Sequence, residues 1–179
     1  MEKAFNKNIY ALWKEFLLVC VTVLAAVILP QLFHAFGIIT GTGEKPGQMF
    51  LPMYLPVLIF AFRSNAVSGA VAGVLSPIIS FILTGMPAKA VLPFIIIELA
   101  SFGFFAGLFA NKKWNKFVKI FTVQFLSRIV RIAAMLISIY FISNTTLTAV
   151  AILNITVVAV PGYLLQLLIV PFFMNKRSC

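Results

Sequence analysis

The stretch SPIISFILTGMPAKAVLPFIIIELASFGFFAG, from Ser76 to Gly107, joins two apolar runs through a short polar turn. Neither run can continue as a helix through this turn, because Gly85 is conformationally permissive and Pro87 has no amide donor. The second run contains one carboxylate, Glu98, and a carboxylate is costly to place in lipid. The stretch therefore predicts a helical hairpin near one membrane face, with Glu98 directed at a protein interior, a cavity or a cation.

The composition of the whole chain is that of an integral membrane protein. Of its 179 residues, 62% are hydrophobic and only 10% are charged, and the mean hydropathy is +1.08. The apolar runs have the length of a spanning helix, about 20 residues, rather than that of the short alternating segments of a barrel. We expect an all-α membrane protein with six transmembrane helices in a single domain, residues 1–179.

Glycines, prolines and charged residues divide the chain into the predicted elements. Residues 1–15 should form an amphipathic lead-in on the cytoplasmic surface, and the longer connections are an outer loop at 34–48 and a basic inner loop at 111–119. The six helices are predicted at residues 16–33, 49–62, 66–83, 91–110, 120–142 and 147–173. The second is short enough to be tilted, re-entrant or buried by its neighbours.

The distribution of lysine and arginine predicts the orientation, because cytoplasmic segments of membrane proteins collect these residues. With both termini in the cytoplasm, the outer segments hold only Lys45 and Lys89, and two arginines lie inside helix five. The remaining ten of the fourteen basic residues lie on the inner side: Lys3, Lys7, Lys14, Arg63, Lys112, Lys113, Lys116, Lys119, Lys176 and Arg177.

Several classes of function are disfavoured by what the sequence lacks. Its four acidic residues are all glutamates and it has one histidine, which leaves no metal-ligand cluster, catalytic triad or carboxylate pair. It has no P-loop, no basic soluble face for nucleic acid, and two isolated cysteines, Cys20 and Cys179, that form no disulfide framework. We expect neither an enzyme, nor a metal or other cofactor, nor a nucleic-acid-binding protein.

A small polar set inside the predicted membrane span is the candidate site. Glu98 lies in helix four, and Gln124, Arg128 and Arg131 share one face of helix five. Glu98 and one arginine could form a structural ion pair, which would leave a second buried arginine for an anionic or hydrogen-bonding ligand. Alternatively, Arg128 could snorkel to the inner face. His34 and Tyr54, with the glycine-rich outer loop, would roof a ligand site.

The motifs resemble the substrate-binding S components of energy-coupling factor (ECF) vitamin transporters. The likeness covers most of the chain, in FLPMYLPVLI (50–59), GAVAGVLSPIISFILTGMP (69–87), LPFIIIELASFGFFAGL (92–108), SRIVR (127–131) and VPGYLLQLLIVP (160–171). Tyr54 stands where many relatives carry histidine, and Ser127 where they carry glycine, so no substrate is transferred.

The resemblance implies a six-helix protein in the plasma membrane of a prokaryote that captures a vitamin or related micronutrient from outside. It would deliver the ligand together with a transmembrane coupling subunit and two ATPase subunits. In the family, small residues on helix one contact the coupling subunit. Thr22 and Ala26, which are four residues apart and would let any helix approach closely, approximate that surface here. The alternatives are a non-transporting membrane scaffold and a small stand-alone secondary transporter.

Overall fold

A computed structural model of the chain describes residues 2–41, 49–142 and 157–174. In these ranges the regular structure is entirely α-helical, without strands. The helices are α1 (Glu2–Ile39), α2 (Tyr54–Ala61), α3 (Ala66–Thr84), α4 (Leu92–Phe109), α5 (Lys116–Ile142) and α6 (Val160–Phe173). Four of them contain segments long and apolar enough to cross a membrane: Leu12–Ile39, Ala66–Thr84, Leu92–Phe109 and Lys116–Tyr140.

The predicted helical hairpin is confirmed as α3 and α4. Asn65 is the N-cap of α3, and its side chain accepts a hydrogen bond of 2.9 Å from the backbone amide of Ser68. Gly85 ends α3 in the left-handed conformation, with φ of 72°, and its amide donates to the carbonyl of Phe81. This conformation is one that glycine adopts without steric cost, which explains why the turn begins there.

Helix α1 corrects the prediction for the first forty residues. The separate lead-in at 1–15 and the helix at 16–33 form one helix of 38 residues, and the predicted outer loop at 34–48 begins inside it. The two parts share a helical phase, and no glycine or proline separates them near Glu15. At 1.5 Å per residue the helix is about 57 Å long, well beyond the roughly 30 Å of bilayer hydrocarbon. Residues 42–48 of the predicted loop lie outside the described ranges.

Helix α2 is shorter than predicted, and the predicted last helix is described only in its second part. Helix α2 has eight residues, too few to cross a bilayer, and Val57, Leu58 and Ala61 are fully buried in the core. Of the three possibilities for helix two, the structure supports burial by its neighbours. Helix α6 is described from Val160 onward, so the first part of the predicted helix, residues 147–156, lies outside the described ranges.

Helices α3 and α4 pack with their backbones in contact through glycines at four-residue spacing, a pattern visible in the sequence. A Cβ atom at Gly69 would overlap the carbonyl of Gly103, and one at Gly73 would overlap the carbonyl of Leu99. A Cβ at Gly107 would overlap the backbone of Asn65 and Ala66 at the start of α3. On the outside the helices expose large apolar side chains, as lipid contact requires: Leu24, Ile82, Leu108, Phe125 and Leu168 among others.

Basic side chains cluster at one end of the bundle and bind the carboxyl ends of helices. Arg63 Nε donates to the carbonyl of Phe173 at 2.9 Å, and Lys116 Nζ donates to the carbonyls of Pro171 and Met174, both at 3.2 Å. Lys119 is fully buried, and its Nζ donates to the carbonyl of Ala110, the C-cap of α4, at 3.0 Å. Because helix carboxyl ends carry partial negative charge, these contacts stabilise this end of the bundle.

Candidate functional site

A cavity of about 640 Å³ lies at the end of the bundle opposite the basic residues. Its wall comes from the second half of α1, the start of α2 and the segment before it, the end of α3 and the turn that follows, the start of α4, the middle of α5 and the segment before α6. The lining residues are Pro30, Gln31, His34, Leu51, Pro52, Met53, Tyr54, Ser80, Gly85, Met86, Pro87, Ala88, Val91, Ile95, Arg131, Val158 and Ala159. The size and largely apolar wall are those of a small-molecule site.

Helix α4 places Glu98 behind this wall, on the side that faces the core of the bundle. The buried positions of α4 recur every three or four residues, so Glu98 shares one face with Leu99, Phe102 and Ala106. It lies six residues into the helix, about 9 Å along the axis from its first residue. The side chain is fully buried and does not line the cavity, because Tyr54 and Arg131 lie between the carboxylate and the open space.

The Glu98 carboxylate binds donors from three other helices. Oε2 accepts a 2.6 Å hydrogen bond from the Tyr54 hydroxyl and a second from Arg131 Nη1. Oε1 lies 3.2 Å from Arg128 Nη1, and the Tyr163 hydroxyl donates to the same oxygen at 3.4 Å. An ion pair between Glu98 and an arginine is therefore present, and both Arg128 and Arg131 contact the carboxylate. Arg128 does not snorkel to the inner face.

The two arginines have different surroundings. Arg131 lines the cavity, whereas Arg128 lies behind the wall with its guanidinium 4.8 Å from the centre of the Tyr163 ring. That distance is in the range of a cation–π contact. Arg128 Nε, Arg128 Nη2 and Arg131 Nε are buried and have no hydrogen-bond partner in the described part of the chain.

Gln124, a candidate substrate-binding residue from the sequence, is not among the residues that line the cavity. Its Nε2 donates to the carbonyl of Tyr163 at 3.2 Å and to Gln166 Oε1 at 3.1 Å, so its amide links α5 to α6. Gln124 precedes Arg128 by one helical turn toward the basic end, which removes it from the cavity wall. Its position on the polar face of α5 was predicted correctly, but its role is to join two helices.

Thr22 and Ala26 are not available as a surface for a partner. Their exposed fractions are 7% and 0%, and Ala26 belongs to the main core cluster. The expectation that small residues at this spacing permit a close helix approach is met within the chain itself. The prediction that the same residues contact a coupling subunit is not tested by the structure, which shows only that neighbouring helices cover them.

His34 and Tyr54 line the cavity as the sequence predicted, and the structure adds residues that the sequence analysis missed. Tyr163 and Gln166 of α6 contact the buried charges or their neighbours, and Gln31 and Ser80 line the cavity. The three-residue spacing of Tyr163 and Gln166 on one face of an apolar helix was a usable signal. In the described residues no group of three or more His, Cys, Asp or Glu side chains lies close enough to hold a metal ion.

Comparison with protein-family models, with curated proteins and with solved structures gives no match to this chain. The function is therefore argued from the resemblance of the motifs and from the geometry of the cavity.

Proposed function

We propose that the chain is the substrate-binding S component of an ECF-type importer, and that it captures a vitamin or related micronutrient from outside. The observation that carries this proposal is the cavity of about 640 Å³ with Tyr54 and Arg131 in its wall and Glu98 behind them. A bundle that needed only to be stable would not require buried polar groups beside an apolar cleft, because burying polar groups costs desolvation energy. The cavity instead combines an apolar wall with a few buried polar groups, as ligand sites do.

The proposed topology has six spans with both termini in the cytoplasm. Support comes from the position of the cavity, which lies at the end opposite Arg63, Lys116 and Lys119. Because basic residues concentrate on the cytoplasmic side, the cavity would open to the outside of the plasma membrane of a prokaryote. A site for capture from outside requires that orientation.

Delivery of the ligand would depend on partners. The chain has no P-loop, so the energy for uptake would come from two ATPase subunits through a transmembrane coupling subunit. The contact surface for the coupling subunit would lie elsewhere than at Thr22 and Ala26, which are buried.

A membrane scaffold is the second candidate, and one observation favours it. The Glu98 cluster ties together α2, α4, α5 and α6, as a structural ion-pair network would. Such a network fixes helix register without any ligand. It does not account for the cavity, which lies on the other side of Tyr54 and Arg131.

Ligand-dependent stabilisation separates the two candidates. A protein that binds a ligand gains RT ln(1 + [L]/Kd) of stability, and a scaffold gains nothing. We expect at least one compound from a panel of vitamins to raise the unfolding temperature of the detergent-purified protein. The variant Ile95→Trp, which fills the cavity, should abolish the effect, and Ile97→Trp on the exposed face of α4 should preserve it. If a compound stabilised both variants equally, the cavity would not be its binding site.

Uptake measurements then test the dependence on partners. Vesicles that contain only this chain should bind the ligand without accumulating it. Vesicles that also contain an ECF coupling subunit and its ATPases should accumulate it when ATP is supplied. Concentrative uptake by the chain alone would identify a stand-alone secondary transporter and overturn the S-component proposal.

A further inference from the structure

The buried charges around the cavity do not balance. Glu98 contacts two arginines, Arg128 and Arg131, so the cluster carries one excess positive charge. Of the other glutamates, Glu15 accepts hydrogen bonds from Asn65 and Ser68 at the basic end of the bundle. The side chains of Glu2 and Glu44 lie outside the described part of the structure. An excess charge in the membrane interior is costly unless a counter-charge reaches it.

The buried side-chain atoms without a hydrogen-bond partner are mostly donors, which a negatively charged ligand could also satisfy. In the described residues, seven buried side-chain atoms have no partner, and five of them are N–H donors: Gln31 Nε2, Arg128 Nε, Arg128 Nη2, Arg131 Nε and Gln166 Nε2. The other two are the hydroxyls of Ser64 and Ser127. None is a carbonyl or carboxylate oxygen, so among the described side chains the unpaired buried groups are mostly donors.

Two of the residues with unpaired donors lie in the cavity wall. Arg131 and Gln31 both line the cavity, and they belong to α5 and α1. Most of the remaining wall is apolar, with Leu51, Met53 and Ile95 among its residues. A ligand that matches this wall has an apolar body and one group that accepts hydrogen bonds and carries negative charge.

Resting on the proposed function, we propose that the ligand is a small organic monoanion whose single acid group binds Arg131 and Gln31. One negative charge cancels the excess of the Glu98 cluster. A cation would add to that excess, a neutral ligand would leave it, and a dianion would reverse it. A carboxylate also supplies acceptor oxygens for the unpaired donors, and a charge-assisted bond to a guanidinium is about twice as strong as a neutral one.

Matched pairs of probes test the charge of the ligand directly. The panel is nicotinate with nicotinamide, pantothenate with panthenol, and biotin with its amide, together with thiamin as a cation, riboflavin as a neutral compound and oleate as a membrane-derived acid. Thermal stabilisation of the purified full chain gives the apparent Kd of each. We expect one water-soluble acid to bind, and its uncharged counterpart to bind at least about tenfold more weakly, as expected for the loss of a charge-assisted bond.

Two variants, one of a residue behind the cavity wall and one of a residue in it, separate the effect of charge on binding from the effect of the lining. Arg128→Met removes the excess charge without changing the lining, so it should weaken the acid about tenfold and leave the uncharged counterpart unchanged. Its stability without ligand shows whether it folds. Gln31→Leu keeps the charge and removes one lining donor, so it should weaken the acid by a smaller factor. Glu44→Gln should leave the preference for the acid over its uncharged counterpart unchanged. A gain in affinity for the acid would show that Glu44 supplies the counter-charge.

The outcomes distinguish this inference from the function on which it rests. Stabilisation by thiamin, riboflavin or an uncharged counterpart in preference to every acid would overturn the monoanion and leave a ligand-binding protein. Stabilisation by oleate alone would assign the charged site to a membrane acid and contradict a water-soluble substrate. If no compound in the panel stabilised the protein, both the monoanion and the binding function would be contradicted.

Discussion

Replacing Glu98 by glutamine should destabilise the bundle even without a ligand. The substitution keeps the size of the side chain and removes its charge. An amide has one oxygen, which can keep only part of the four contacts that the carboxylate makes. Its NH2 group would face a guanidinium or a hydroxyl, and because the amide is uncharged, both arginines lose their anionic partner.

The size of the effect follows from the burial of the groups. Glu98 is fully buried, and Arg128 and Arg131 are exposed by only 9% and 4%. Removing one partner of a buried ion pair costs about 3–5 kcal/mol, because the other charge stays behind unpaired. We expect Glu98→Gln to lower the free energy of unfolding by about that amount, measured by titration of detergent-solubilised protein with a denaturing detergent.

The triple variant Glu98→Leu, Arg128→Met, Arg131→Met tests why the charges are there. Replacing a whole buried charge cluster by apolar residues is often neutral or stabilising by about 1–4 kcal/mol. We therefore expect the triple variant to recover most of the stability that Glu98→Gln loses, while ligand binding disappears. A triple variant as unstable as Glu98→Gln would refute this reasoning, since the cluster would then serve the stability of the fold, as in a scaffold.

Three further predictions concern topology and packing. In a chain without Cys20 and Cys179, a cysteine at Lys113 should react with an impermeant reagent only from the cytoplasmic side, and reaction from outside would contradict the proposed orientation. Ala26→Leu should lower the free energy of unfolding by about 1–3 kcal/mol through overpacking, and a stable variant with impaired uptake would instead restore Ala26 as a partner contact. Gly103→Val should destabilise by at least as much, because its side chain meets the backbone of α3, and unchanged stability would contradict the close packing of α3 and α4.

The parts of the fold that the sequence predicted are those encoded by neighbouring residues. The α3–α4 hairpin depends on Gly85 and on small residues at four-residue spacing, and both patterns are visible in the sequence alone. The continuity of α1 was missed because an amphipathic segment and an apolar segment differ in composition, although nothing between them stops a helix. Composition indicates the surroundings of a segment and does not by itself end a helix.

The candidate site was predicted in part, for a physical reason. The scarcity of carboxylates made it clear that Glu98 would seek an arginine, because a charge in a membrane interior needs a partner. The sequence did not reveal whether Thr22 and Ala26 face a partner or the core, since that depends on the rotation of α1 about its axis. The polar pair Tyr163 and Gln166 was visible in the sequence, but the contact of Tyr163 with Glu98 was not, because α6 meets Glu98 only through tertiary packing.

The contacts that Glu98 already makes determine which side chains remain able to bind a ligand. A carboxylate has about four lone-pair positions, and Glu98 contacts Tyr54, Arg131, Arg128 and, more distantly, Tyr163. It therefore has little capacity left to accept a hydrogen bond from a ligand. Arg131 differs, because Nη1 binds Glu98 while Nε has no partner. On the proposal made above, an acid group in the cavity would lie beside Arg131, a residue of the wall, so its charge would add to the cluster while the contacts of Glu98 remain in place.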